Sequence, residues 1–188
     1  MKEIKSNICI IGGGLIGAAT AYALSKLDKN VVVLEKKAKF NHKKILDKRT
    51  TAISEGTKRF LDEINVWENI NKYAEPIKKI QIIDRDQLNK IYFDNQRRKS
   101  NLGYIVKNEI ILDCLYRKLQ KQKNVNIFNN VNLKDIFYKN DRIVIKQNNF
   151  FVNTNLLLAI DGKDSYIKKI FKTPTFNKDY KKKAIVIN

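Results

Sequence analysis

The chain has 188 residues, 43% of them hydrophobic and 10% aromatic, and a formal net charge of +19. That content marks a globular chain rather than a disordered one, long enough for one domain with a proper core or for one domain and part of another. No apolar run approaches the roughly 18 residues needed to cross a bilayer, and with His42 as the only histidine, zinc sites and Ser–His triads have little support and no metal site is expected.

A charge this positive raises nucleic acid or an anionic membrane as partners. The excess is spread along a lysine-, asparagine- and isoleucine-rich chain, however, with local clusters at Lys36-Lys37-Ala38-Lys39, Arg97-Arg98-Lys99 and Lys181-Lys182-Lys183. None is interleaved with stacking aromatics, so the expectation is a solvated surface and no specific nucleic-acid partner. Met1-Lys2-Glu3-Ile4-Lys5 leads charges straight into a strand without a secretory pattern, which points to the cytoplasm. Cys9 and Cys114 are too few and too scattered for a disulfide framework, and both are expected to be small core residues.

In chain order, a short apolar strand, Ile8 to Ile11, ends in Gly12-x-Gly14-x-x-Gly17 and continues as an Ala-rich helix from Ala18 to Lys26. A second apolar run, Val31 to Leu34, closes with Glu35. Strand, glycine turn, helix, strand and acid in that order make a dinucleotide-binding unit. Gly12 permits the tight turn, Gly14 lets the backbone approach a pyrophosphate, and Gly17 lets the helix pack against the sheet. The helix N-terminus offers free N–H groups to phosphate. Glu35, about 20 residues past the turn, is placed to accept from a ribose 2′-OH and would repel a 2′-phosphate, so FAD or NAD is expected rather than NADP.

A basic stretch then leads to Asp47-Lys48-Arg49-Thr50-Thr51-Ala52-Ile53-Ser54, where Ser54 can cap a helix with Phe60, Leu61 and Ile64 on its apolar face. A shorter helix follows around Trp67 and Ile70, with Trp67 expected in the core. Ile80 and Ile82, then Ile91 and Phe93, alternate with polar residues on either side of Asp84-Arg85-Asp86 and read as a strand pair. Leu102 to Val106 is a further strand, and Asn108 opens a helix with Ile111, Leu112, Leu115 and Leu119 on one face. Val125 to Phe128 and Ile143 to Ile145 read as strands, with Ile136-Phe137 less distinct. Leu156 to Ile160 is expected as a buried strand stopping at Asp161-Gly162, followed by a short helix carrying Ser165, Lys168 and Lys169; Ala184 to Ile187 begins a last strand.

Taken together, the ordered motifs resemble the front half of flavoprotein aromatic hydroxylases of the para-hydroxybenzoate hydroxylase type. The branch they resemble is the ubiquinone-biosynthesis hydroxylases of the 2-octaprenyl-6-methoxyphenol hydroxylase kind. Four stretches carry the likeness: Gly12 to Gly17 with Glu35; Asp47-x-Arg49-x-x-Ala52-Ile53-Ser54; Leu102-Gly103-Tyr104-Ile105-Val106-Lys107-Asn108; and Asp161-Gly162-x-x-Ser165. Tyr180-x-x-x-Ala184-Ile185-Val186 is similar to the strand by which the family enters its substrate-side sheet.

The resemblance implies an α/β fold: one Rossmann-like FAD-binding domain over residues 1–188, with a parallel central sheet and added antiparallel strands, residues about 77–106 forming inserted substrate-side strands. It implies that Gly12, Gly14 and Gly17 hold the FAD pyrophosphate and Glu35 the adenosine ribose. Arg49 would lie beside the flavin, Asn108 would contact the cofactor, and Asp161 and Gly162 would help hold the pyrophosphate region and contribute to the pyridine-nucleotide site. The activity implied is FAD-dependent hydroxylation of a prenylated phenol, with NAD(P)H as electron donor and at most peripheral contact with the inner membrane. The flavin carries the chemistry in such enzymes, so no catalytic acid–base residue is singled out.

Three departures accompany the likeness. Lys107 stands where an acid is usual, Lys168 stands where arginine is usual, and the family's second glycine–aspartate motif and C-terminal half are absent from the sequence. A truncated or split enzyme, incomplete alone, is therefore expected, with a complementing chain or other ubiquinone-biosynthesis proteins as partners. Two alternatives stay open: a Rossmann protein binding FAD or NAD without hydroxylase activity, and a basic, non-enzymatic binding protein.

Overall fold

The computed structural model describes residues 1–37, 49–83, 90–94, 101–181 and 183. The chain forms two compact units, one from Met1–Lys43 with Leu115–Asn188 and one from Lys44–Cys114. In chain order the elements are β1 (Lys2–Ile11), α1 (Leu15–Ser25), β2 (Val31–Leu34), β3 (Thr50–Ser54), α2 (Glu55–Glu63), α3 (Trp67–Asn71), β4 (Glu75–Ile77), β5 (Lys79–Ile83) and β6 (Lys90–Asp94). They continue as β7 (Gly103–Lys107), α4 (Asn108–Leu119), β8 (Val125–Phe128), β9 (Asp135–Lys139), β10 (Arg142–Lys146), β11 (Phe150–Ala159) and α5 (Tyr166–Ile170). Among the described residues no helix is long and apolar enough to cross a membrane.

The first unit is built on a six-stranded sheet in the order β8-β2-β1-β11-β10-β9. β8, β2, β1 and β11 run parallel, and β10 and β9 add on antiparallel. Parallel strands buried on both faces are written as continuous β-branched runs rather than alternations, and β2, Val-Val-Val-Leu, is buried at every position. One face gathers Cys9, Ile11, Val32, Leu34, Val131, Ile145, Val152 and Ile167 into a single cluster. Each fully buried aliphatic side chain of this kind stabilises the fold by about 1.5–3 kcal/mol. Ile8 and Ile10 point to the other face, where α1 packs.

β1 begins at Lys2, six residues before the expected Ile8, because β11 pairs it over its whole length, from Lys2↔Phe150 to Ile11↔Ala159. The expected burial of residues 156–160 does not hold: Leu156 is 48% exposed and Ala159 is also exposed. The pairing explains it. β10 matches β11 only from Phe151 to Thr154, so beyond Asn155 the strand keeps β1 as its neighbour on one side only. Cys9 is fully buried as expected, whereas Cys114 is only half-buried, its Sγ lying 3.8 Å from the Asn69 carbonyl oxygen.

The second unit holds a three-stranded antiparallel sheet, β3-β7-β4, and the separate hairpin β5-β6. The strands near 77–106 thus pair among themselves and with β3, and the antiparallel addition to the central sheet comes from β9 and β10 instead. Alternation of residue types identifies strands but not their partners. Gly103 is fixed by a close approach, since a Cβ there would stand 2.5 Å from the Ile53 carbonyl oxygen. Ser54 caps α2 by accepting from the Thr57 N–H at 3.2 Å. Leu61 and Ile64 are buried, but Phe60, expected beside them, lies at the rim of the stripe and is 39% exposed. Trp67 is buried edge-on against Tyr104, ring centroids 4.9 Å apart. The expected Asp84-Arg85-Asp86 connection, Asp47, His42 and the strand at 184–187 lie outside the described residues.

Candidate dinucleotide site

The C-terminal ends of β1, β2 and β11 converge within the first unit, the location at which open parallel α/β sheets bind ligands. Gly12 leaves β1 with φ +104, and its N–H donates to the Leu34 carbonyl at 2.9 Å. A side chain here is barred twice: by the backbone angle, and by the Ile160 carbonyl oxygen, which would lie 2.2 Å from a Cβ. Gly17 is barred by packing alone. Its Cβ would fall 1.9 Å from the Gly12 carbonyl oxygen, so the first turn of α1 closes directly onto the turn below it.

Gly14 is different. It is the N-cap of α1, provides no side-chain cap, and has nothing within 4 Å of the place a Cβ would occupy. The first turn of α1 also contains no acidic residue. The helix N-terminus, with its partial positive charge, therefore has neither a cap nor an acid of its own and has open space beside Gly14, an arrangement that can accept a phosphate. On this observation the residues fit the diphosphate of a dinucleotide.

Glu35 sits at the end of β2, its backbone held by the Phe128 carbonyl at 2.9 Å and by the Val131 N–H at 3.0 Å. Its Oε2 accepts from the Gly13 N–H and its Oε1 from the Lys37 N–H at 2.8 Å. An ionised carboxylate has about four acceptor positions, so two such bonds leave capacity for ribose hydroxyls.

Asp161 follows β11, close enough that its Cα would be 3.2 Å from a Cβ on Gly12. Its Oδ2 accepts from the Tyr166 N–H at 2.6 Å and from the Ile167 N–H at 3.2 Å, so the carboxylate caps α5. Burial pushes its pKa up, but hydrogen bonds from Ser165 and from the Ile167, Asp161 and Tyr166 N–H groups outweigh this and hold it below the ordinary range. Oδ1 is buried without a hydrogen-bond partner. Gly162, with φ +88 and open space around it, is glycine for its backbone angle.

Arg49 and Asn108 belong to the second unit, at the end of the β3–β7 ladder. The Asn108 N–H donates to the Arg49 carbonyl at 3.0 Å, and the Asn108 side-chain carbonyl accepts from the Thr51 hydroxyl. The structure thus brings Gly12, Gly14, Gly17, Glu35, Asp161 and Gly162 together in one unit, and Arg49 with Asn108 in the other. No cluster of metal-ligating side chains occurs among the described residues.

Two residues at the turn escape a reading of the sequence by the spaced-glycine pattern. Gly13 lies between the counted glycines, yet a Cβ there would stand 2.5 Å from the Tyr116 hydroxyl and 3.2 Å from Glu35 Oε2. The unbroken Gly12-Gly13-Gly14 run was its signal. Tyr116, on α4, gave none beyond helical apolar spacing.

This is the fold of the FAD-binding domain of flavoprotein monooxygenases. Residues 7–44 match the family described as FAD dependent oxidoreductase. The chain is 26% identical over 194 residues to the mitochondrial ubiquinone biosynthesis monooxygenase COQ6 of Drosophila melanogaster, covering 96% of this chain and 40% of that protein. It is 22% identical to the 3-demethoxyubiquinol 3-hydroxylase of Escherichia coli K12, covering 90% of this chain and 44% of that one. Among solved structures it is similar in fold to p-nitrophenol 4-monooxygenase PnpA from Pseudomonas putida DLL-E4. The TM-score is 0.73 at 20% identity, over 89% of this chain and 43% of PnpA. The chain spans about 40% of the length of the curated relatives it matches. The likeness to ubiquinone-biosynthesis hydroxylases expected from the motifs is borne out.

Proposed function

We propose that this chain forms the FAD-binding part of a flavin-dependent monooxygenase that hydroxylates a prenylated phenol in ubiquinone biosynthesis. The observation that carries the reading is the open, uncapped N-terminus of α1 beside Gly14, with the Glu35 carboxylate at the same turn. The relatives named for ubiquinone biosynthesis support the substrate class.

In this reading Gly12, Gly14 and Gly17 let the turn and the α1 N-terminus receive the FAD diphosphate, and Glu35 accepts hydrogen bonds from the adenosine ribose. Asp161 and Gly162 shape the same wall, Asp161 held there by its bonds from the Tyr166 and Ile167 N–H groups. Arg49 and Asn108 serve the flavin end, where a fixed guanidinium can offset negative charge. When bound, FAD supplies the redox chemistry that couples an NAD(P)H donor and O₂ to hydroxylation. The protein's own task is to bind, orient and keep water away.

Hydroxylation itself draws on the part of the relatives outside the aligned span, on the same polypeptide or a complementing chain, with residues 77–106 contributing substrate-side strands. The same reading places the chain in the cytoplasm with at most peripheral contact with the membrane that holds a prenylated substrate. The test is to purify the chain, add FAD and measure binding by flavin fluorescence quenching, alongside Gly14→Val. Saturable binding that Gly14→Val abolishes while the fold persists is the expected result. Equal binding by the variant, or NAD bound in preference to FAD, would overturn the assignment.

A further inference from the structure

The peptide between Gly13 and Gly14 is held from one side by a group that the spaced-glycine pattern does not contain. Tyr116, in the C-terminal part of α4 that belongs to the first unit, is 6% exposed and donates from its hydroxyl to the Gly13 carbonyl at 2.9 Å. Glu35 Oε2 takes the Gly13 N–H at the same time. Both backbone polar groups of one turn residue are therefore fixed by side chains from two distant segments. The Gly13 Cα fits so closely between them that a methyl group would stand 2.5 Å from the Tyr116 hydroxyl and press on the Glu35 carboxylate at 3.2 Å.

The geometry has a directional consequence. In a trans peptide the carbonyl and the following N–H point in opposite directions, and no cis peptide occurs among the described residues. A Gly13 carbonyl tied to Tyr116 therefore turns the Gly14 N–H away from α4. Gly14 is the residue with open space beside it. A glycine run is free to rotate its peptide planes, and that freedom costs entropy whenever a ligand must fix one orientation. Burial and the nearby Glu35 carboxylate push the Tyr116 hydroxyl up to about 12, so it keeps its proton and stays a donor across the physiological range.

We propose that Tyr116 is a positioning residue that presets the diphosphate-binding turn, holding the Gly13 carbonyl so that the Gly14 N–H already faces the incoming diphosphate of a dinucleotide. The inference rests on the reading of the turn as a dinucleotide site. It concerns the phosphates, not the adenine or the ribose, and it predicts a split between ligands with and without them.

The experiment titrates the full chain and Tyr116→Phe with FAD, ADP and adenosine by calorimetry. Loss of one hydrogen bond that prepares the site weakens ADP and FAD about five- to tenfold, with adenosine unchanged and the melting temperature nearly so. A second measurement needs no variant: in the unaltered chain labelled with ¹³C and ¹⁵N, ADP should move the Gly14 amide resonance and leave the Gly13 carbonyl resonance in place. Equal ADP affinity in the two proteins would overturn the role of Tyr116 while leaving the site intact. Parallel weakening of ADP and adenosine would reduce Tyr116 to a structural residue, and a Gly13 carbonyl resonance that moves with ADP would show a turn formed on binding. Failure of the unaltered chain to bind ADP or FAD would overturn the dinucleotide site itself, and this inference with it.

Discussion

Strand β2 and the β5-β6 hairpin both carry bulky apolar residues and have opposite fates. Val31 to Leu34 are all buried, flanked by β1 and β8 within the six-stranded sheet. Every residue of β5 and β6 is exposed, including Ile80, Ile82, Ile91 and Phe93, whose register pairs Ile80 with Phe93 and Ile82 with Ile91. β-branched and aromatic residues favour an extended, pleated backbone in both places. Burial comes from what lies beside and above a strand, and a two-stranded hairpin supplies each strand with one neighbour and no covering layer of its own.

The largest effect that would sharpen this contrast is expected from Val33→Asp. A carboxylate placed among Ile10, Ile127 and the rest of the parallel core has no partner, and several kcal/mol of desolvation rivals the whole stability of a domain. The cooperative thermal transition in circular dichroism should disappear. Retention of a sharp melt near the parent temperature would break the comparison.

Next comes a pair of glycines. Gly17→Ala forces a Cβ to within 1.9 Å of the Gly12 carbonyl oxygen and should cost about 2–4 kcal/mol. Gly56→Ala, in the first turn of α2, meets only the Ser54 hydroxyl at 3.8 Å and should gain up to about 1 kcal/mol. Urea midpoints give both values, and similar losses at the two positions would mean that the close approach at Gly17 relaxes away.

A smaller effect appears in alkali. Burial pushes the Cys9 thiol from 9.0 up to about 12, and burial with the Glu35 carboxylate moves Tyr116 from 10.0 to about 12. The unfolded groups lose their protons first, so stability is fully present below pH about 9 and falls as pH rises toward 12. Urea midpoints should decline across that window, and Cys9→Ala should flatten the early part of the decline. A midpoint independent of pH from 8 to 11 would contradict the burial of both groups.

The smallest effect belongs to the hairpin. Ile82, 49% exposed, and Ile91 can both become lysine at a cost within about 0.5 kcal/mol. A loss above about 1 kcal/mol by the same measurement would show the apolar face packed in solution, and the contrast with β2 would fail.

The glycine turn, the helix after it and the acid at the end of β2 were legible because each is a local demand on residue type. Gly12 needs a positive φ, Gly17 needs room, and β2 needs an uninterrupted apolar run. Ser54 as a cap and Trp67 as core were legible for the same reason. Pairing was not, because alternation says nothing about which strand lies alongside, and Thr50 to Ser54, which pairs with β7, was not read as a strand at all. Leu156 looked buried because its apolar run is unbroken, while its exposure depends on where β10 stops. Tyr116 was hidden by distance: 103 residues separate it from Gly13, and no spacing rule links them.

The placement of β11 bears on how the molecule comes into being. β1 is made well before its long partner β11, yet the two are neighbours over the full length of β1. Gly12 finds its final packing only against the Ile160 carbonyl. While the chain emerges from the ribosome, β1 and β2 can associate early, but β1 keeps one open edge until β11 arrives. Contacts this remote in sequence are slow to form. The turn is therefore finished only once β11 is in place, and a nascent chain halted before residue 160 carries every glycine of the motif without the wall that shapes it.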